Sequence, residues 1–134
     1  MLRQQKFALA QRAFREASSL NANLAASHFY RGQALIELAL RTSDEIQRAT
    51  DLEDAEKELN RAWELSSGRL TIVHLQRARI YERRGAREAA ARELENYLRA
   101  APESSQAGAI RTAITRLRNP NKSEQPAEKK PPQY

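Results

Sequence analysis

The sequence predicts an all-α fold, and two observations support this expectation. Alanine, arginine, leucine and glutamate are abundant, whereas the 134 residues include only four glycines and five prolines, which are helix-rich proportions. Apolar residues recur at three- and four-residue spacing through most of the chain. No apolar run approaches the roughly 20 residues that span a bilayer, so no membrane segment is expected. The length fits one domain of about 100 to 200 residues.

The first two predicted helices cover residues 4–20 and 24–40. In the first, Phe7 and Phe14 lie on one apolar stripe with the alanines between and after them. The polar segment at residues 21–23 is interpreted as the turn that separates the two helices.

The third predicted helix follows a polar stretch at residues 41–50. This stretch is longer than a tight turn between helices requires, so it predicts an inserted loop or a frayed extension of the second helix. Thr50 and Glu53 have the spacing of a capping box, which predicts that the helix begins there and ends before the turn at residues 66–68. Trp63 lies on its apolar stripe and is interpreted as a core residue.

Three further helices are predicted at residues 70–84, 87–100 and 105–118, each from an apolar stripe of helical spacing. Gly85 is placed to end the first of them as a C-cap glycine. Residues 119–134 hold four prolines among polar and charged residues, which predicts a disordered tail.

The chain also aligns with itself as a unit of two helices. A small residue followed four residues later by a large apolar residue marks the second helix of each unit. Successive marks are 45 and 35 residues apart, and the longer step contains the predicted loop. The pairs are Ala10 with Phe14, Ala55 with Leu59, and Ala90 with Leu94.

This register resembles the tetratricopeptide repeat family, whose unit is about 34 residues long. The small residues that let paired helices approach closely are Gly32 and Ala78. The main departures are His28 and His74 in place of tryptophan. The other positions that match the family pattern are Tyr81, Ala55, Leu59, Ala90, Leu94 and Pro102, and the other departures are Arg31, Arg77 and Leu35.

The resemblance implies antiparallel helix pairs stacked as a short right-handed α-solenoid with a C-terminal capping helix. The expected domain covers residues 1–118, and helix 4–20 reads as a second helix without its first. This orphan helix predicts that the chain is the C-terminal part of a longer repeat protein, and that it exposes apolar surface for self-association. The expected units are repeats 24–67 and 70–102, followed by capping helix 105–118.

The resemblance further implies a non-catalytic scaffold that binds a peptide or helix of another protein in a concave groove. Chaperone-binding members hold a terminal carboxylate with a clamp of lysine, asparagine and arginine. Here Phe29 and Leu75 stand where lysines would help and only Arg79 fits, so a mixed apolar and basic groove for an acidic amphipathic partner is expected. The candidate groove residues are Phe29, Gln33, Ile36, Glu37, Ile72, Leu75, Arg79 and Arg83.

No chemistry beyond binding is expected. The chain has no cysteine, which excludes disulfides, thiolate nucleophiles and cysteine-ligated zinc. Its two histidines, 46 residues apart at equivalent places in the repeat, are interpreted as packing residues rather than metal ligands. No serine is grouped with a histidine and an acid as a nucleophile requires, so neither a catalytic site nor a cofactor is predicted.

The charge pattern leaves a second function open. The net charge is +6, but residues 37–64 are acidic and residues 69–118 are basic. The basic half permits nucleic-acid binding as an alternative to protein binding. The arginines proposed for that role include Arg79, Arg83, Arg84, Arg87 and Arg92.

Overall fold

The computed structural model describes residues 19–120, and this part of the chain is entirely α-helical, which confirms the predicted fold class. The predicted helix at residues 4–20 falls almost wholly outside the described residues, as does the tail from residue 121 onward. The five helices are α1 (Ser19–Arg41), α2 (Glu45–Leu65), α3 (Val73–Arg83), α4 (Arg87–Ala100) and α5 (Ala107–Arg118).

α1 and α2 form an antiparallel hairpin around a point of close approach at Gly32. A Cβ built on Gly32 would lie 2.9 Å from Leu59 Cγ and 3.2 Å from the Ala55 carbonyl oxygen. No side chain fits there unless its neighbours move, and this explains why the small residue of the repeat pattern is a glycine in this hairpin. Leu59 and Ala55 are themselves fully buried in the larger of two apolar cores.

The loop predicted at residues 41–50 is confined to residues 42–44, and the turn predicted at residues 21–23 is wrong. Residues 21–23 lie within α1, and α2 already begins at Glu45. The N-cap is Asp44, whose carboxylate accepts from the backbone N–H groups of Ile46 at 3.0 Å and Gln47 at 3.2 Å. Thr50 therefore lies inside the helix rather than at its start.

The extra length of the first hairpin is helical. When the histidines are superposed, the end of α3 matches Glu37, so α1 runs four residues further. When Ala55 and Ala90 are superposed, the start of α4 matches Leu52, so α2 begins seven residues earlier. Four and seven residues are about one and two helical turns, so both helices keep the same face toward each other through the extension. Each hairpin has a three-residue connection.

α3, α4 and α5 form the second half of the structure. Ser67 and Gly68 have positive φ values of 54° and 73° in the connection from α2, and Gly85 has a φ of 80° between α3 and α4. The prediction that a C-cap glycine follows α3 is consistent with that last value. A smaller core joins the three helices and includes Ala78, Leu117 and the two adjacent alanines of α4.

Candidate docking surfaces of the helical hairpins

The two histidines make the same contact in the two hairpins. His28 Nδ1 donates to Glu58 Oε1 at 2.6 Å across the α1–α2 hairpin. His74 Nδ1 donates to Glu93 Oε1 at 2.8 Å across the α3–α4 hairpin. An arginine three residues after each histidine approaches the same carboxylate oxygen, at 3.7 Å in the first hairpin and 3.9 Å in the second.

The two hairpins therefore share one contact of histidine, arginine and glutamate at corresponding positions. The histidine and arginine positions are displaced by 46 residues, and the glutamate positions by 35, as the alanine marks are. Sequence reasoning placed the histidines at equivalent positions but missed Glu58 and Glu93. The signal was present, because each glutamate comes three residues after its marker alanine and directly before a leucine.

The junction between the hairpins is built on Trp63 near the end of α2. The indole lies over His74, with ring centroids 4.8 Å apart, and the Arg77 guanidinium lies 5.6 Å from the centroid of the indole. Arg77 also donates two hydrogen bonds to Asn60 Oδ1, at 3.0 and 2.8 Å. The indole is half-buried and packs against the larger core, so it joins the two repeats.

A polar bridge joins α1 to α3 on the face predicted to form the groove. Arg79 Nη2 donates to Glu37 Oε2 at 3.1 Å, and Arg79 Nη1 donates to Gln76 Oε1 at 3.0 Å. Gln76 is fully buried, and its Nε2 has no hydrogen-bond partner among the described residues. Arg79 and Glu37 remain about one-third and two-fifths exposed, so a ligand on this face can reach them.

Five of the eight predicted groove residues lie where a ligand can contact them. Gln33, Glu37, Leu75 and Arg79 are half-buried, and Arg83 is exposed.

The other three predicted groove residues are buried, and their assignment to the groove is corrected. Phe29 and Ile36 are fully buried and Ile72 nearly so, all within the larger core. The error arises because groove-facing and core-facing positions alternate every one or two residues on a helix. Periodicity alone does not show which apolar positions face the groove and which face the core.

At least four of the eleven arginines at residues 69–118 are paired with acids, namely Arg77, Arg79, Arg84 and Arg118. Arg84 Nη1 lies 2.7 Å from Glu56 Oε1, and the Tyr81 hydroxyl donates to the other oxygen of that carboxylate at 3.2 Å. Burial, together with the nearby Glu56 carboxylate, raises the pKa of Tyr81 above its ordinary value. Because Glu56 is on α2, its contacts with Arg84 and Tyr81 link the acidic first hairpin to the basic second half of the structure.

A similar pairing attaches α5 to α4. Arg118 bonds to both carboxylate oxygens of Glu88, at 3.0 and 2.8 Å, and of Glu95, at 2.6 and 3.1 Å. These hydrogen bonds lower the pKa of both glutamates, and the two carboxylates raise the pKa of Arg118. The ion pairs of Arg118 with Glu88 and Glu95 therefore hold the C-terminal end of α5, the predicted capping helix, against α4.

Residues 19–120 contain sixteen basic and fourteen acidic residues, a net charge of +2, so four of the six net positive charges lie outside them. Across the same residues, no three histidine or acidic side chains come together as a metal site would require. No helix in this range is long and apolar enough to cross a membrane. Comparison of the chain with protein-family models, curated proteins and solved structures finds no match to any of them.

Proposed function

We propose that this chain is a non-catalytic helical-repeat scaffold that binds an acidic, amphipathic segment of another protein in the groove between α1 and α3. The repeated contact of histidine, arginine and glutamate in the two hairpins carries the proposal. Stacked hairpins of this kind place their first helices side by side and present a continuous concave surface, which repeat proteins use for binding. The stacking of these hairpins as a right-handed α-solenoid is part of the same proposal.

The chemistry of the groove indicates the ligand. Leu75 supplies apolar surface, while Arg79 and Arg83 supply positive charge, and no partner of Arg83 is found within residues 19–120. Arg79 already donates a hydrogen bond to Glu37, so an acidic ligand must displace the Glu37 carboxylate from Arg79. The Glu37 carboxylate therefore weakens binding of acidic ligands in general and favours those that also bury apolar surface on Leu75.

Nucleic-acid binding is the weaker candidate. Of the five arginines proposed for it, Arg79 and Arg84 are paired with acids of the first hairpin. The described residues carry a net charge of only +2. Phosphate binding by Arg79 or Arg84 requires each to exchange an existing ion pair, which reduces the gain from releasing counterions.

The test selects peptides from a random display library against the full chain and measures their affinities. The selected peptides are expected to be acidic and apolar, and the Leu75→Glu and Arg79→Ala variants should each weaken them at least about tenfold. Glu37→Gln should strengthen them, because it frees Arg79. Arg111→Ala, an exposed change on α5, is the matched control and should have no effect.

The proposal is wrong if the selected peptides bind all three groove variants as tightly as the wild type. It is also wrong if the chain selects no peptide yet retards single- or double-stranded nucleic acid at low salt. In that case, Arg83→Glu and Arg92→Glu variants identify the basic half as the binding surface by reducing the salt slope.

A further inference from the structure

α1 exposes a stripe of residues, most of whose equivalents in the second repeat are buried or half-buried. The stripe has the three- and four-residue spacing of one helix face, and its Arg31 Nη1 lies 3.7 Å from Glu58 Oε1 of α2. Leu24 is 42% exposed, Leu38 is 55% exposed, and the Arg31 side chain is 59% exposed. The α1 outer stripe consists of Leu24, Ser27, Arg31, Ala34 and Leu38, all of them exposed.

Four of the five equivalent residues of the second repeat are buried or half-buried, and Arg84, the equivalent of Leu38, is exposed. Leu70, 46 residues after Leu24, is 2% exposed, and Ile80, the equivalent of Ala34, is fully buried. The side chain of Arg77, the equivalent of Arg31, is 14% exposed. The same face of the repeat is thus a helix-binding surface in α3 and an open one in α1.

α2 shows which side chains such a surface receives. Asn60 accepts from Arg77, and Trp63 lies over both His74 and Arg77. One turn earlier, Glu56 pairs with Arg84. These three groups lie at positions i, i+4 and i+7 of α2, which is a single face of a helix.

We propose that the α1 outer stripe is a second docking surface, distinct from the groove, and that it binds an amphipathic helix of a partner protein. The partner's aromatic residue stacks on His28 and Arg31, as the indole does on their equivalents. A carboxylate or amide three residues before it binds Arg31. Leu38 replaces Arg84 in this repeat, so the partner carries an apolar residue, rather than an acid, seven positions before the aromatic.

The N-terminal segment of this chain does not supply these groups in the repeat register. With Ala10 superposed on Ala55, Arg15 takes the amide position and would meet the arginine of the stripe, while Ser18 takes the indole position. In addition, seven residues connect α2 to α3, whereas no connection of that length separates Ser18 from α1, which begins at Ser19. Two copies of the stripe facing each other would also bring their arginines together, so the occupant is a helix of another protein.

The experiment uses a capped synthetic peptide with the sequence of residues 45–65 and the change Glu56→Leu, which matches the proposed pattern. It is titrated into the isotope-labelled full chain and observed by amide chemical shifts. Saturable shifts along the α1 outer stripe are expected below about 1 mM peptide. Leu38→Glu in the protein, at an exposed site, and Trp63→Ala in the peptide should each weaken binding at least about tenfold.

Two control variants separate this surface from the others. Arg111→Glu on α5 should leave peptide binding unchanged, as should Arg79→Ala, which disables the proposed groove. Loss of one function without the other therefore distinguishes failure of this inference from failure of the proposed function.

Several results would overturn the inference. They are the absence of saturation, shifts confined to α3 and α4, which would show exchange with the native α2, or equal affinity for the Leu38→Glu variant. Sedimentation that shows a wild-type dimer and a monomeric Leu38→Glu variant would assign the stripe to a second copy of the chain and would also overturn it.

Discussion

The close approach at Gly32 makes a double-mutant cycle with Leu59 a sensitive test of how the first hairpin packs. Leu59 is fully buried, so Leu59→Ala should cost about 2–5 kcal/mol of unfolding free energy. Gly32→Ala gains about 1 kcal/mol of helix propensity. The new Cβ would lie 2.9 Å from Leu59 Cγ and 3.0 Å from Leu59 Cδ2, and such overpacking costs about 1–3 kcal/mol. The single Gly32→Ala variant is therefore expected to be neutral or destabilised by up to about 2 kcal/mol.

The second substitution should change the sign of the first. In the Leu59→Ala background both of those short contacts are gone, and the added methyl group fills part of the cavity. Gly32→Ala should then stabilise the protein, with a favourable coupling of at least about 1 kcal/mol between the two sites. Urea unfolding of the full chain, followed by far-ultraviolet circular dichroism, measures all four corners of the cycle.

The control for this cycle is Gly108→Ala in α5, where an added Cβ meets nothing within 4 Å. That variant should be neutral or stabilised by up to about 1 kcal/mol in either background, with no coupling to Leu59. Additive effects of Gly32→Ala and Leu59→Ala, within about 0.5 kcal/mol, would refute the packing of α1 on α2 described above.

Asp44→Ala should cost about 1 kcal/mol by removing the N-cap of α2, whereas Thr50→Ala should change unfolding free energy by less than about 0.5 kcal/mol; the reverse order in urea unfolding would contradict the observed helix start. Arg118→Ala should raise the pKa of both its glutamate partners, measured by carboxyl chemical shifts against pH, and unchanged titrations would disprove the clamp. Because those folded-state pKa values are lowered, the contribution of the clamp is present at neutral pH and is lost as the pH falls through them, so the wild type should lose this increment in acid while the variant does not. His74→Ala should destabilise the protein more than His28→Ala and should shift the fluorescence of the single tryptophan, because only the former imidazole is buried against the indole; equal effects in thermal unfolding would count against the junction.

The periodic elements of this protein follow from its sequence. α4 runs from Arg87 to Ala100 as predicted, because it carries apolar residues on one face, a glycine before it and a proline after it. The pairing of a small residue with a large apolar residue four positions later was also recognisable from the sequence, since such pairs occur where helices pack closely. Both features depend on local geometry and on which residues avoid water, and a single chain records these directly.

The helical extension of the first hairpin could not be predicted from apolar periodicity. Residues 45–50 form almost two turns of α2, but they are exposed or half-buried and carry no apolar stripe. Periodicity reports burial rather than helicity, so a helix that projects past its neighbours resembles a loop. The threonine and glutamate that predicted a cap were a chance match at exposed positions.

The sequence by itself determined that this protein is all-α and where most of its described helices lie. Only the tertiary structure decided which faces of those helices are used. It buried Phe29 and Ile36 in the core and left Leu24 and Leu38 exposed. It also paired Arg77, Arg79, Arg84 and Arg118 with acids from other helices. These outcomes depend on contacts between residues far apart in the chain, and those contacts have no signature in local spacing.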